Sequence, residues 1–181
     1  MRVPQLQQRT QNTTSLRLPP YEPPECLMKV YHGSQALAKV AEKFSLTCIP
    51  EDMAQLILHE GFCEEFYEDD KGVRTTGVGQ TGKYAHLPFP IVYDLFRTKA
   101  AALTPNYAQL PPKVQAAILS ATYRGDWRQS KKTRELFNKG EYLLASKEFL
   151  NNAEYRSRKA KGDDGVTKRM EHIAEMIGSL A

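Results

Sequence analysis

The chain has 181 residues, 41% of them hydrophobic, and 25 Lys plus Arg against 21 Asp plus Glu give it a net charge of +4. That length can bury the core of one domain, with or without an arm. No run of 18 apolar residues occurs, so no membrane-spanning helix is expected, and three cysteines without paired spacing (Cys26, Cys48, Cys63) suit a reducing compartment better than a disulfide framework.

Residues 1–25 are rich in Gln, Thr, Asn and Pro, with PPYEPP at 19–24. They are expected to be extended or disordered, forming an arm over 1–33 with no apolar core of a secretory signal. A folded domain is expected over 34–181. It opens with a helix near 34–45, capped by Ser34, with Leu37, Val40, Ala41 and Phe44 on one face. Residues 51–60, EDMAQLILHE, follow Pro50 with Met53, Leu56 and Ile57 at helical spacing and two acids in the first turn, until Gly61 stops the helix.

Next come Phe62, Phe66 and Tyr67, the turn residues Asp69, Asp70 and Gly72, and the β-favouring stretch Val73 to Val78. This spacing predicts a β-hairpin within a unit spanning 51–82, with a bend at Gly77 and Gly79. A connecting helix is expected at about 90–103, with Val92, Leu95, Phe96 and Ala100 on its apolar stripe. A helical lobe should occupy 111–179. It begins with PKVQAAILSATY at 112–123, where Val114, Ala117, Ile118 and Ala121 share a face, and Gly140 separates two shorter helices further on.

The run HEGFCEEFYEDDKGVRTTGVGQTG puts Glu60 at a helix end, Asp69 at a hairpin tip and Thr75 on the returning strand. A helix packed against a hairpin forms a cleft. Two carboxyl groups across a cleft are what glycosidic hydrolysis requires, one acid to protonate the leaving oxygen and one carboxylate to activate water or attack the sugar. Taken singly, a Glu at a helix end and an Asp in a turn are ordinary surface charges or caps, and only their joint spacing points to chemistry.

Glu60, Gly61, Tyr67, Asp69, Gly72, Thr75, Gly77 and Gly79 fall in register on the motif of the phage-type lysozymes, glycoside hydrolase family 24, which the chain therefore resembles. Further matches are Ser120, Tyr123 and Gly125 in the apolar helix, then Leu136, Asn138, Gly140, Tyr142 and Phe149, then Gly165, Val166 and Arg169. The resemblance implies an α+β, mainly helical two-lobed fold, with a small β-hairpin lobe and a helical C-terminal lobe joined by the connecting helix. It implies a muramidase that cleaves the β-1,4 bond between N-acetylmuramic acid and N-acetylglucosamine with inversion, during phage entry or host lysis. Glu60 would be the general acid, Asp69 the carboxylate that activates water, and Thr75 the hydroxyl that holds the water. Tyr67, Gly77, Gly79, Gln80 and Arg124 would line the substrate. The acid must keep its proton near neutral pH, so a poorly solvated site is expected for Glu60.

Three residues depart from the family pattern. Gln80 stands where His is frequent, Arg124 where Asn is usual, and Met170 where a second Arg is usual. The alternative reading, fed by Gln80, is a catalytically silent structural or interaction protein of a virion on the same fold.

No metal or cofactor is expected. His59, Glu60 and Cys63 spell H-E-x-x-C, but Gly61 interrupts the helix that a zinc site of that spacing needs, and His32, His86 and His172 lack ligand spacing. Residues 124–169 carry thirteen Lys plus Arg against seven Asp plus Glu, whereas residues 60–70 carry six acids and no base. A basic lobe suits attraction to anionic peptidoglycan. The cluster Arg156, Arg158, Lys159 and Lys161 belongs to no nucleic-acid motif, so no specific nucleic acid partner is expected. The expected protein is a monomer, either virion-associated with its arm on other virion proteins, or held in the host cytoplasm before release.

Overall fold

The computed structural model describes residues 30–69, 72–162 and 164–181, so the arm expected over 1–33 lies outside the described residues as far as residue 29. The first helix, α1 (Gly33–Phe44), buries Ala36 and Val40, one turn apart. It starts one residue earlier than the sequence suggests: His32 holds the N-cap position without a side-chain bond, and Ser34 already lies inside the helix. Just before it, Tyr31 pairs with Phe62 through two backbone hydrogen bonds of 2.8 and 2.9 Å.

Helix α2 (Glu51–Glu60) has the predicted bounds and buries Met53, Leu56 and Ile57. Its first-turn acid is more than a dipole partner. Asp52 is buried and accepts hydrogen bonds from Tyr93 Oη at 2.8 Å and from the Met53 amide at 2.9 Å, with Arg97 Nε 3.4 Å from its other oxygen. These contacts join α2 to the connecting helix described below.

Strands β1 (Cys63–Glu68), β2 (Arg74–Gly77) and β3 (Gln80–Thr81) form an antiparallel sheet in the order β1-β2-β3. Cys63 faces Gly77, Tyr67 faces Thr75 and Glu68 faces Arg74, with a shift of register between Cys63 and Tyr67. Such a bulge bends the strand and re-aims its side chains. The third strand is too short to leave a periodic signal in the sequence.

The connecting helix is α3 (Phe89–Leu103), with Pro90 in its first turn, where a missing N–H costs nothing. Phe89, Val92, Tyr93 and Ala100 are buried and Phe96 half-buried, whereas Leu95, assigned to the stripe from the sequence, is 41% exposed. The true stripe follows 89, 92/93, 96 and 100, and residue 95 falls off it. Two apolar cores result. Phe89 and Tyr93 pack with Val40, Leu56, Phe62 and Val78, while Ala100 packs with Trp127, Phe137, Phe149 and Ile173. A single helix thus enters the first core at one end and the second core at the other.

Helix α4 (Pro112–Arg124) is buried from Ala116 to Thr122 and contributes to both cores, Leu119 to the first and Ile118 to the second. Around it lie α5 (Asp126–Gln129), α6 (Lys131–Asn138), α7 (Tyr142–Leu150), α8 (Ala153–Ala160) and α9 (Asp164–Gly178). The architecture is α+β with helices dominating. The sequence separates α6 from α7 at Gly140 but does not resolve α5 or α8. The latter begins at an Asn152 cap whose side chain accepts from the Tyr155 amide at 2.8 Å. No helix of the described residues is long and apolar enough to cross a membrane.

Candidate functional site

Glu60 ends α2 at the edge of the first core, with its side chain 20% exposed. Its Oε1 lies 2.6 Å from Nη1 of Arg169, which projects from α9. Arg169 Nε donates to Ser120 Oγ at 2.9 Å, and His59 Nδ1 is 3.1 Å from the same oxygen. Three helices, α2, α4 and α9, therefore meet through one polar cluster on otherwise apolar faces. The acid meets a guanidinium there, a partner that the expectation of a poorly solvated site does not include.

The other carboxyl oxygen faces the bend after β2. A Cβ added to Gly79 would lie 2.8 Å from Glu60 Oε2, and the backbone there has φ +64°. Only glycine allows both the conformation and the approach. Gly77, at φ +58°, likewise makes room for the Gln80 side chain, which folds back toward it. Gln80 is buried, and its Nε2 donates to the carbonyls of Tyr84 at 3.0 Å and Leu87 at 2.7 Å. Both amide protons are thus committed inside the protein. The side chain shapes the bend, with its amide held inside the protein.

On the hairpin, Asp69 Oδ1 accepts from the Val73 amide at 2.8 Å, and its backbone N–H donates to Val73 O at 3.0 Å. This carboxylate braces its own turn, as Asp commonly does. Thr75 is buried and donates its hydroxyl proton to Val73 O at 2.9 Å, which leaves its oxygen lone pairs as acceptors. Tyr67 lies opposite Thr75 in the ladder. Burial raises the Tyr67 phenol above its ordinary range, and negative charge at Cys63, Glu60 and Asp69 raises it further. The phenol is therefore within electrostatic reach of both candidate carboxyl groups.

Tyr123 closes the back of the bend. Its hydroxyl donates to Val78 O at 2.6 Å, and burial, reinforced by the Glu60 charge, raises its pKa far above the usual value. Arg124, next in sequence, pairs with acids on α5 and α8. Its Nε meets Asp126 Oδ2 at 2.8 Å and its Nη2 meets Glu154 Oε1 at 3.3 Å, and both acids line a cavity of about 460 Å³ among α5 to α9. On α8, Arg156, Arg158 and Lys159 bond to Asn151, Glu154 and Glu171, so these bases belong to local pairs. Among the described residues no cluster of three or more His, Cys, Asp or Glu could hold a metal.

No protein-family model matches the chain, and neither does any curated protein. A solved structure does. The crystal structure of the active form of the P1 phage endolysin Lyz matches with a TM-score of 0.53 at 13% identity, covering 83% of this chain and 96% of that one. The fold is lysozyme-like. At that identity the likeness concerns the fold, and each residue of the site stands on its own geometry.

The sequence matched Arg169 to the family pattern without a role, quoted Ser120 only as a core-helix position, and treated His59 only as part of a false zinc motif. A usable signal did exist: Arg169 precedes Met170 and Ile173 in an otherwise apolar stripe, and a base in such a place needs an acid.

The imidazole of His59 has a consequence for stability. Burial, helped by the charges of Arg169 and His172, lowers its pKa to about 4. The unfolded chain takes up this proton near pH 6.5, whereas the folded one refuses it until about pH 4. Stability is therefore full above pH 6.5 and declines as the pH falls toward 4. The decline amounts to about 2 kcal/mol, allowing for solvent screening of a half-buried ring. Urea midpoints between pH 7 and pH 4.5 should show this slope in the wild type and a flatter one in His59→Gln. Equal slopes would place the proton uptake elsewhere.

Proposed function

We propose that the protein is a muramidase that hydrolyses the β-1,4 bond between N-acetylmuramic acid and N-acetylglucosamine in peptidoglycan, by the inverting route of the phage-type lysozymes it resembles. The observation that carries this reading is the setting of Glu60. One of its oxygens is fixed by Arg169, and the other is turned to a bend cleared by Gly79, just after the strand that carries Thr75.

In this reading Glu60 Oε2 carries a proton to the leaving glycosidic oxygen as the C1–O bond breaks. A water held by the Thr75 hydroxyl attacks C1 from the opposite face and gives its proton to Asp69. One water is consumed, two hydroxyl groups are formed, and the proton balance is restored through solvent. Arg169 orients Glu60, and Ser120 and His59 orient Arg169. Preorganisation of this kind supplies catalytic power because the geometry is set before substrate arrives.

A second reading has one observation in its favour. Because Asp69 already caps its turn, the hairpin would keep that residue for structural reasons alone, as in a silent interaction protein. Incubating purified Gram-negative peptidoglycan with the protein separates the two. Loss of turbidity, with reducing muramic-acid ends first formed as the α-anomer in proton NMR, is the expected result. Intact walls in the presence of folded protein would favour the silent reading. Fragments ending in 1,6-anhydro sugars would mean cleavage without water and would remove Asp69 from the assigned role.

A further inference from the structure

Beyond Gly79 the bend opens into a second small site. Gly79, Gln80, Thr81, Tyr84, Phe96 and Tyr123 line a cavity of about 110 Å³, large enough for a substituent of a sugar but not for a strand of them. One wall is an aromatic row, with Tyr84 and Phe96 rings 5.1 Å apart and Phe96 and Tyr123 rings 4.7 Å apart. One of the lining residues, Gly79, is also the residue that abuts Glu60.

Two ammonium groups stand over this wall. Lys99 Nζ lies 4.0 Å from the Phe96 centroid and 4.7 Å from the Tyr84 centroid, and donates to Tyr84 Oη at 2.6 Å. Lys83 Nζ lies 5.3 Å from the Tyr84 centroid. The hydrogen bond from Lys99 is the main cause holding the Tyr84 phenol below its ordinary pKa, and the charges of both lysines add to it. Among the described residues neither ammonium is paired with a carboxylate, although other surface lysines of this chain, Lys39, Lys132 and Lys159, are. Ring faces hold the lysines in place without neutralising them. The result is a pair of cations held against two of the rings that line the cavity, with donors still unused on each.

We propose that this cavity and its two lysines form a subsite for a carboxylate-bearing substituent of the glycan, seated beside the bond that Glu60 acts on, so that Lys83 and Lys99 select acidic glycan over neutral glycan. The inference rests on the hydrolase reading of the cleft and adds to it two residues that read the charge of the substrate. The aromatic rings take the apolar face of the sugar or its acyl group, while the ammonium groups take the carboxylate. The Lys99 stem is already immobilised against Phe96, so little side-chain entropy remains to be lost on binding.

The test uses three probes: soluble peptidoglycan fragments with free carboxyl groups, the same fragments methyl-esterified, and a neutral chitin oligosaccharide. The wild type should prefer the free-acid fragments to their esters by about tenfold in KM, as two partly exposed ion pairs would give, and the preference should shrink in high salt. The Lys83→Met/Lys99→Met double variant, checked for an unchanged thermal midpoint, should lose that preference and treat acid and ester alike. If the wild type cleaves both forms equally, or the double variant keeps the preference, the subsite is overturned while the hydrolase reading stands. A wild type that neither binds nor cleaves any of the three probes overturns both.

Discussion

Replacing Glu60 by Gln is expected to lower peptidoglycan hydrolysis at least about a hundredfold, the scale of a lost general acid, in a protein that still folds. The amide matches the carboxyl in shape, and its oxygen can still accept from Arg169 Nη1, where Oε1 now sits at 2.6 Å. The amide cannot release a proton to a leaving oxygen. The substitution also replaces the carboxyl that meets Arg169, whose side chain is only 9% exposed and keeps a bond to Ser120. A cost on the order of 1–3 kcal/mol is expected from that loss, so activity should be compared at a temperature where circular dichroism shows both proteins folded. Retention of more than a tenth of wild-type activity by the folded variant would exclude Glu60 as the acid.

The order of elements was legible because apolar periodicity and chain breakers act locally. Gly61 and Pro50 bracket α2 in the sequence as they do in space, and Pro112 opens α4. What was not legible depends on contacts between segments distant along the chain. The Arg169–Glu60 pair joins residues 109 positions apart, and no local pattern records that α9 passes the end of α2. Asp52 illustrates the same limit, since a first-turn acid reads as a helix-dipole partner until Tyr93 and Arg97 are seen to meet it. Gln80 makes contacts that a residue-by-residue resemblance does not record. The position is shared with a functional motif, but this side chain is long enough to fold back and bond to the 84–87 turn. Lys83, Tyr84 and Lys99 carry no motif, and no local pattern groups them.

The largest loss of stability is expected from Trp127→Ala. The indole is fully buried where α5 meets α6 and α7, with its ring centroid 5.6 Å from that of Phe137 at 86° and 6.5 Å from that of Phe149. Truncation removes the apolar contacts of the largest side chain and leaves a cavity in the second core, which together cost about 3–5 kcal/mol. It also orphans a hydroxyl. Trp127 Nε1 donates to Thr104 Oγ1 at 2.9 Å, and Thr104, fully buried, is the residue that ends the connecting helix. An unpaired buried polar group adds about 1–3 kcal/mol. Against a total stability of roughly 5–15 kcal/mol for a domain, the variant should lose cooperative unfolding or shift its urea midpoint by most of its range. Leu143→Ala is the control, because that side chain is 59% exposed and its loss should stay within about 0.5 kcal/mol. Thr104→Val isolates the hydrogen bond and should cost less than the indole truncation, since the ring contacts remain. A Trp127→Ala variant within about 1 kcal/mol of the wild type would mean that the second core is held by Phe137, Phe149 and Ile173 without it. The anchor between the connecting helix and the helical lobe would then have to be sought at Ala100 and Leu103 instead.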